Sequence, residues 1–224
     1  MTNSKNIKKL LGLATLTALV VGLQFLSNYV SFGSVSITLA LIPIAVGAVL
    51  YGPLAGLFLG AVMGAIVLAA PSTIAVFMPI NLPLTILLCL VKTGVAGLAA
   101  GYVFKLFAYF AKKQNDVKKK KILFAAGIIS AALVIPVINT GLFIVGAVLW
   151  FSEPFGGTFA GIVSAVLTIN FVIEFSVSVV LSPALVTLVS VLTRQYDLGF
   201  QKEFKNFIFD DEEELDLEQA SVNA

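Results

Sequence analysis

Two ionisable side chains, Lys92 and Glu174, interrupt long apolar stretches of this sequence. A charge at the centre of a bilayer costs at least about 2.5–3.5 kcal/mol, so such residues usually serve a function. Amide and hydroxyl side chains, which can bind polar solutes, occur in similar apolar surroundings at Asn139, Thr140 and Asn170. These five residues are the candidates for binding chemistry.

The five side chains are expected at a common depth. Lys92 lies roughly 12 Å, and Asn139 roughly 17 Å, from the outer end of its apolar segment, at about 1.5 Å per residue. Asn170 lies roughly 18 Å from the outer end of the last segment, and Glu174 follows one turn later on the same helix face. Pro136 is expected to bend its helix and free a backbone carbonyl nearby. Three helices would thus contribute polar groups to one layer.

Two interpretations of this layer remain open. In the first, Lys92 and Glu174 form a structural ion pair and the amides hold the helices together. In the second, which we favour, the layer is a pocket for a small polar solute that opens outwards. Trp150, Phe151 and the proline-rich segment 71–83, which contains Asn81, would lie at its mouth. Trp150 could equally belong to an aromatic belt at the membrane surface.

Enzymatic functions find little support in the sequence. It contains no histidine, so no imidazole is available as a base or metal ligand. The single cysteine, Cys89, has no polar neighbour that would activate it as a nucleophile. There is no pair of intramembrane carboxylates and no phosphate-binding glycine loop. We therefore expect a protein that is not an enzyme, needs no cofactor and does not itself hydrolyse nucleotides.

The elements that position these residues are predicted to be transmembrane helices. The 224 residues are 59% hydrophobic and only 12% charged, whereas soluble domains are about 25% charged. A membrane span needs about 20 apolar residues, and the apolar runs predict six: 10–29, 36–51, 54–70, 84–110, 122–150 and 158–192. The predicted fold class is an all-α membrane protein with a single six-helix bundle. The three prolines of segment 71–83 predict an ordered loop.

Basic residues predict the orientation of the bundle, because they collect on the cytoplasmic side. Thirteen of the 14 Lys and Arg residues fall on one side of a six-span arrangement, and the exception is Lys92. Both the N-terminal segment 1–9 and the C-terminal tail 193–224 are therefore expected in the cytoplasm. The tail carries most of the acidic residues and is predicted to be disordered.

Small residues at helical spacing predict close helix packing. Glycines recur every four residues from Gly52 to Gly64, and again between Gly94 and Gly101. We expect both stripes to pack inside the bundle. Gly52 is followed by Pro53, a pair that should separate the second helix from the third.

Two stretches carry a resemblance to a known family. The segment 37–56, with its Gly-Pro junction, and the sequence Ala14-Thr-Leu-Thr-Ala18 resemble the substrate-binding S components of energy-coupling factor (ECF) vitamin transporters. The resemblance covers roughly residues 8–195. In that family an Ala-x-x-x-Ala element on the first helix contacts the transmembrane coupling subunit, which implies that Ala14 and Ala18 form a partner interface. The stretch 136–143 is most similar to the pantothenate-type members.

The resemblance implies a high-affinity vitamin-binding subunit in the bacterial cytoplasmic membrane. Its partners would be a coupling subunit and two ATPases that hydrolyse ATP, with the lipid bilayer around it and no nucleic acid. For pantothenate, Lys92 would bind the carboxylate, and Asn139, Thr140 and Asn170 the polar body. Glu174 departs from a simple anion site, so it either holds Lys92 in place or indicates another vitamin or vitamin precursor.

Two functions of other classes also remain open. A stand-alone ion-coupled carrier would transport a small solute without ATPases. A non-transporting membrane assembly factor would bind no vitamin at all.

Overall fold

A computed structural model describes residues 2–29, 31–32, 35–36, 38–152, 156–158, 161 and 171–195. This part of the chain is almost entirely helical. It contains α1 (Thr2–Tyr29), β1 (Ser31–Phe32), β2 (Val35–Ser36), α2 (Leu41–Tyr51), α3 (Pro53–Val67), a π-helical turn (Thr73–Phe77), α4 (Leu82–Lys112), α5 (Val117–Trp150) and α6 (Val172–Gln195).

Four of these helices, α1, α4, α5 and α6, are long and apolar enough to cross a membrane. The shorter α2 and α3 have 11 and 15 residues, which extend about 16 and 22 Å against a hydrocarbon core of about 30 Å. The predicted helical membrane architecture is therefore present, and the count of six spans stays a prediction. The last helix was expected from residue 158, but most of the stretch 158–170 lies outside the described residues.

The second helix begins later than predicted. It was expected from residue 36, but Ser36 pairs with Ser31 in a short antiparallel ribbon, and α2 starts at Leu41. The start is consistent with Pro43, because proline lacks a backbone N–H and is tolerated in the first turn of a helix. Hydrophobicity alone did not distinguish the extended segment from the helix.

The predicted break between the second and third helices is confirmed. Gly52 ends α2 with a φ of 95°, a conformation that side chains with a Cβ rarely adopt. Pro53 follows as the first residue of α3, where its missing N–H costs no helical hydrogen bond. The two short helices therefore reverse direction within a single residue.

The prediction that segment 71–83 is a loop was wrong. Pro71 begins a short helical turn, the π-helical turn follows, and Pro83 lies in the first turn of α4. The Asn81 side chain caps α4, its Oδ1 accepting a hydrogen bond of 3.1 Å from the Leu84 N–H. Proline is tolerated where helices begin, so three prolines in sequence did not exclude helical structure.

Helix ends also extend beyond the apolar runs that predicted them. The helix expected from residue 10 begins at Thr2, and the helix expected from residue 122 begins at Val117. Asp116 caps α5 by accepting a hydrogen bond of 2.8 Å from the Lys118 N–H. Because α5 begins at Val117, the run of four lysines that follows is helical. An apolar run therefore predicts the membrane-spanning part of a helix but not the residues at which the helix begins and ends.

The glycine stripes pack inside the bundle, as predicted. A Cβ added at Gly56 would collide with the Gly97 carbonyl, and one at Gly60 with the Thr93 carbonyl. Backbones of α3 and α4 therefore touch along their length in antiparallel register. This contact fixes the depth at which α4 holds Lys92, the residue just before Thr93.

The basic side chains gather at one end of the bundle, here called the lysine-rich end. There Gly12 of α1 meets the Tyr51 side chain at the end of α2, and Gly101 of α4 meets Pro53 at the start of α3. Gly127, early in α5, likewise meets Phe107, late in α4. This end carries Lys8, Lys9, Lys105, Lys112, Lys113, Lys118, Lys119, Lys120 and Lys121.

Residues from the other helix termini meet at the opposite end. Asn28 of α1 donates a hydrogen bond of 3.1 Å to the Ile66 carbonyl of α3. Thr38, just before α2, bonds to Glu174 near the start of α6. Helices that follow one another in the described chain therefore run in alternate directions.

The core lies among α2 to α6. Each of these helices contributes a side chain that is almost completely buried: Ile44, Leu59, Phe104, Ile128 and Val189. Helix α1 is peripheral, since most of its apolar side chains are exposed on the bundle surface. In a membrane these exposed side chains contact lipid or another subunit.

Candidate functional site

Lys92 lies on the side of α4 that faces α5. The side chain is partly buried, and its Nζ stands 4.8 Å from the centroid of the Phe143 ring. A lysine ammonium over an aromatic face is stabilised electrostatically, by about 0.5–2 kcal/mol depending on desolvation. The ring thus stabilises the cation without neutralising it.

Three aromatic rings continue from this contact towards the opposite end of the bundle. Phe143 packs edge-on against Phe77 of the π-helical turn, with centroids 5.7 Å apart, and Phe77 packs in the same way against Phe151 at 5.4 Å. Phe151 is only 1% exposed. Through Phe77, the segment 71–83 therefore reaches the Phe143 ring that Lys92 contacts.

Glu174 is buried near the start of α6. Its Oε1 accepts a hydrogen bond of 2.5 Å from the Thr38 hydroxyl, at the entry to α2. Hydrogen bonds between a hydroxyl and a carboxylate are of this short, charge-assisted kind. The contact joins two segments 136 residues apart in the chain and fixes the carboxyl group inside the bundle.

Lys92 and Glu174 form no contact ion pair among the described residues. The direct contacts found are Phe143 for the lysine and Thr38 for the glutamate. A structural ion pair with direct contact is thus not the arrangement in this structure.

Asn139 and Thr140 are both buried on α5, with 7% and 8% of their surface exposed. The Asn139 Oδ1 is buried and has no hydrogen-bond partner in the part of the chain that the structure describes. Asn139 lies one turn from Phe143 and on the same face, so it is close to the Lys92 contact. An unsatisfied buried carbonyl oxygen costs about 1–3 kcal/mol, which a ligand donor would recover.

Two other predicted residues, Asn81 and Trp150, stand apart from this arrangement. Asn170 lies outside the described residues, so its relation to Glu174 stays a prediction. Asn81 is exposed and uses its oxygen to cap α4. Trp150, the last residue of α5, is 42% exposed, and the buried aromatic next to it is Phe151.

The sequence pattern did not indicate Thr38, Phe77 or Phe143 as site residues, whereas Phe151 was expected at the mouth of the pocket. Thr38 was assigned to a helix, where its hydroxyl would have been expected to bond within the same helix. Phe143 had a usable signal, because it follows Asn139 at the four-residue spacing of a helix face. Phe77 had none, since its segment was predicted as a loop.

The chemistry available to this arrangement is polar recognition. It offers one cation over the Phe143 ring, one buried carboxyl group, and one amide oxygen that has no partner among the described residues. Within the described ranges no three potential metal ligands come together. A small solute with an anionic group and hydrogen-bond donors would match these groups.

The candidate partner interface lies on a different face of the protein. Ala14 and Ala18 are both exposed on α1. Gly22, one turn further on, is also exposed, and a Cβ built there would meet nothing within 4 Å. The three residues form an open strip of small side chains, which permits close approach by another helix.

The fold defines the chain as a helical membrane protein with polar groups gathered inside its bundle. Residues 8–186 match the family of the ECF transporter, substrate-specific component. The chain therefore belongs to this family, as the stretches 14–18 and 37–56 predicted. No curated protein and no solved structure is significantly similar to the chain. Members of the family are substrate-binding transporter subunits for vitamin-type small molecules and are not enzymes.

Proposed function

We propose that this protein binds pantothenate as the S component of an ATP-driven vitamin importer. The observation that carries the proposal is the unpartnered Asn139 oxygen beside a lysine that is held by an aromatic ring. Each group lacks a binding partner without a ligand, and the two groups select different parts of that ligand. The lysine favours an anion, and the amide oxygen needs a hydrogen-bond donor.

Pantothenate satisfies both requirements. Its carboxylate would pair with Lys92, and its hydroxyl or amide hydrogens would donate to the Asn139 Oδ1. Glu174, which already accepts from Thr38, would hold Lys92 in place by long-range attraction and exclude a second anion. Thr140, Asn170 and Asn81 complete the proposed set, and Trp150 would lie at the outer rim.

We propose a six-span topology with both termini in the cytoplasm of a bacterial cell. Two features support it: successive helices alternate in direction, and the lysines of the described chain, apart from Lys92, gather at the end where α1 begins. Segregated lysines mark the cytoplasmic side. The Phe77–Phe151 cluster would then face outwards, where the vitamin enters.

The proposed partners are a transmembrane coupling subunit and two ATPases. The exposed strip at Ala14 and Ala18 supports docking through α1. Because the bundle has a peripheral first helix, docking there leaves the polar layer among α4 to α6 undisturbed. Substrate capture and energy coupling would therefore use separate faces of the protein.

Reconstitution into liposomes tests this function. We expect the purified chain alone to bind pantothenate but to accumulate none, and uptake to require the coupling subunit, both ATPases and ATP. Uptake by the chain alone, driven by an ion gradient, would instead establish a carrier. Failure to bind any water-soluble vitamin would favour an assembly factor.

A further inference from the structure

The turn between α4 and α5 carries a dense group of positive charges. Residues 112–121 contain six lysines and one acidic residue, Asp116, whose side chain caps α5. None of these lysines belongs to the polar layer or to the exposed strip on α1. A surface with such an excess of one charge attracts a partner of the opposite charge. The α4–α5 lysine cluster, as it is called here, consists of Lys112, Lys113, Lys118, Lys119, Lys120 and Lys121.

The lysine cluster is not confined to the side of α5 that faces lipid. Its last four members are consecutive, and four consecutive residues cover about 300° of the circumference of a helix. Lys118 and Lys119 are exposed. Lys120 lies on the same helix face as Phe124, which is buried in the core, whereas Ile122, on the opposite face, is 66% exposed. Lysines that only anchored α5 among lipid head groups would need no charge on the face that points into the bundle.

Helix α6 ends close to this cluster. It begins at the opposite end of the bundle, where Glu174 meets Thr38, and its 24 residues extend about 36 Å towards the lysine-rich end. Helices α5 and α6 pack against each other, and the axes of packed helices lie about 8–10 Å apart. The chain beyond Gln195 therefore continues from a point near the start of α5.

The sequence after α6 supplies the complementary charge. Residues 210–218, here called the acidic segment, contain seven acidic residues and no basic one. The 14 residues 196–209 that join this segment to α6 can span at most about 50 Å, which is ample for the distance. Attachment to the same chain gives the segment an effective concentration of about millimolar at the cluster. An anionic leaflet repels the segment and leaves the lysines as its nearest attractive surface.

We infer that the acidic segment binds the α4–α5 lysine cluster of the same chain. Its carboxylates would pair with the ammonium groups of Lys113, Lys118 and Lys119, which are exposed. Because the segment is too charged to form a core of its own, the contact depends on electrostatic attraction. Bound in this way, the segment competes with anionic lipid head groups for the basic surface of the bundle. The contact uses none of the residues proposed to bind the vitamin or the coupling subunit.

A distance measurement by electron paramagnetic resonance tests this contact in the full chain. Nitroxide labels are attached through Asn115→Cys, exposed between α4 and α5, and Leu217→Cys in the acidic segment, while native Cys89 is buried. In nanodiscs of equal parts phosphatidylcholine and phosphatidylglycerol, we expect most label pairs within two helix diameters, about 20–24 Å. Salt at about 1 M reduces the screening length to about 3 Å and should shift the pairs to longer distances. Long distances already at low salt would overturn the inference.

Two variants of equal charge separate a defined surface from general attraction. Lys113→Gln, Lys118→Gln, Lys119→Gln should lower the ratio of short to long distances about tenfold, since exposed ion pairs are individually weak and their effects combine. Lys8→Gln, Lys9→Gln, Lys105→Gln removes the same charge elsewhere at the lysine-rich end and should leave the ratio unchanged. An equal loss in both variants would mean diffuse attraction without a defined surface and would refute the inference.

Neutralising the acidic segment provides the reciprocal test. Replacement of its seven acidic residues by the corresponding amides should lower the ratio of short to long distances at least as much as the first lysine variant. Short distances that persist in this variant would show that charge does not hold the segment at the cluster, and would contradict the inference.

Other occupants of the lysine cluster give different results. If the short distances appear in phosphatidylcholine nanodiscs and are lost when phosphatidylglycerol is included, lipid head groups occupy the cluster. If they are lost when labelled protein is diluted with unlabelled protein before reconstitution, the contact joins two copies of the chain. Either result would refute binding of the segment within one chain.

Discussion

At the scale of single residues, the polar groups of the candidate site are not fully paired within the described chain. Lys92 contacts a ring, Glu174 accepts from a hydroxyl, and the Asn139 oxygen has no described partner. A layer evolved only for stability would be expected to pair such groups, because burying them unpaired is costly. The arrangement is better explained by a ligand that completes it.

Lys92→Met tests whether the lysine binds the ligand. Methionine is close in length and apolar, so the fold should be retained, while pantothenate affinity should fall by about 2–5 kcal/mol because a desolvated carboxylate loses its partner. Isothermal titration and thermal unfolding measure the two effects separately.

The double variant Lys92→Met, Glu174→Gln provides the control for a structural role. If the lysine mainly stabilises Glu174, the single change should lower the unfolding temperature and the double change should restore it with binding intact. We expect instead that binding is lost in every variant lacking Lys92, with little change in stability.

Asn139→Leu removes the unpartnered oxygen and should separate stability from function. Without ligand, the variant should be as stable as the wild type or about 1 kcal/mol more stable, since an unsatisfied buried group is gone. Pantothenate binding should fall at least tenfold. The matched variant Asn28→Leu breaks the hydrogen bond to the Ile66 carbonyl and should be destabilising. Destabilisation by Asn139→Leu of the same size would show a structural amide.

At the scale of elements, the sequence predicted the helices but not the helix ends and connecting segments that position Thr38 and Phe77. Apolar runs located α1 to α6, and Gly52-Pro53 located the reversal between α2 and α3. The apolar runs could not show that residues 31–36 form a ribbon or that residues 73–77 are helical, because apolar residues occur in both helical and extended segments. Thr38 and Phe77 were missed for this reason.

The predicted depth of the polar layer depended less on these ends. Lys92 is positioned by the glycine contact between α3 and α4, and Asn139 by the face it shares with Phe143 on α5. Helical spacing places Asn139 one turn from Phe143, the ring that Lys92 contacts. The contact itself depends on a rotamer that sequence does not specify, and the common depth of the five polar residues stays a prediction.

The first helix should act as the docking element. Ala14→Leu with Ala18→Leu places bulk on the exposed strip, so co-purification with the coupling subunit and vitamin uptake should both fall at least tenfold, while pantothenate binding by the isolated chain is retained. Gly141→Leu is the control, because position 141 is exposed on α5 with open space around it. A loss of pantothenate binding in the alanine variant would contradict separate faces for substrate capture and docking.

At the scale of the whole molecule, the topology can be tested by labelling in intact cells. Thr2→Cys, Asp116→Cys and Val222→Cys should be protected from a membrane-impermeant thiol reagent, while Ser152→Cys should react. Native Cys89 is buried and should give little background. Reaction of the cysteine at position 116 from outside would contradict a six-span bundle with cytoplasmic termini.

Because successive helices alternate in direction, the two ends of the bundle have different roles in the proposed mechanism. The aromatic cluster and Glu174 lie towards the opposite end, while the lysine-rich end faces the proposed ATPase side. A vitamin captured from outside would thus reach the polar layer without passing the basic surface. Release inwards would require the bundle to move relative to its partners.

Equilibrium binding of radiolabelled pantothenate to the purified chain directly measures whether the protein binds this vitamin through Lys92. We expect saturable binding of one pantothenate per protein, which is unaffected by the absence of coupling subunit and ATPases and is lost in the Lys92→Met variant. Absence of saturable pantothenate binding by a folded wild-type protein, or equal binding by wild type and Lys92→Met, would contradict it.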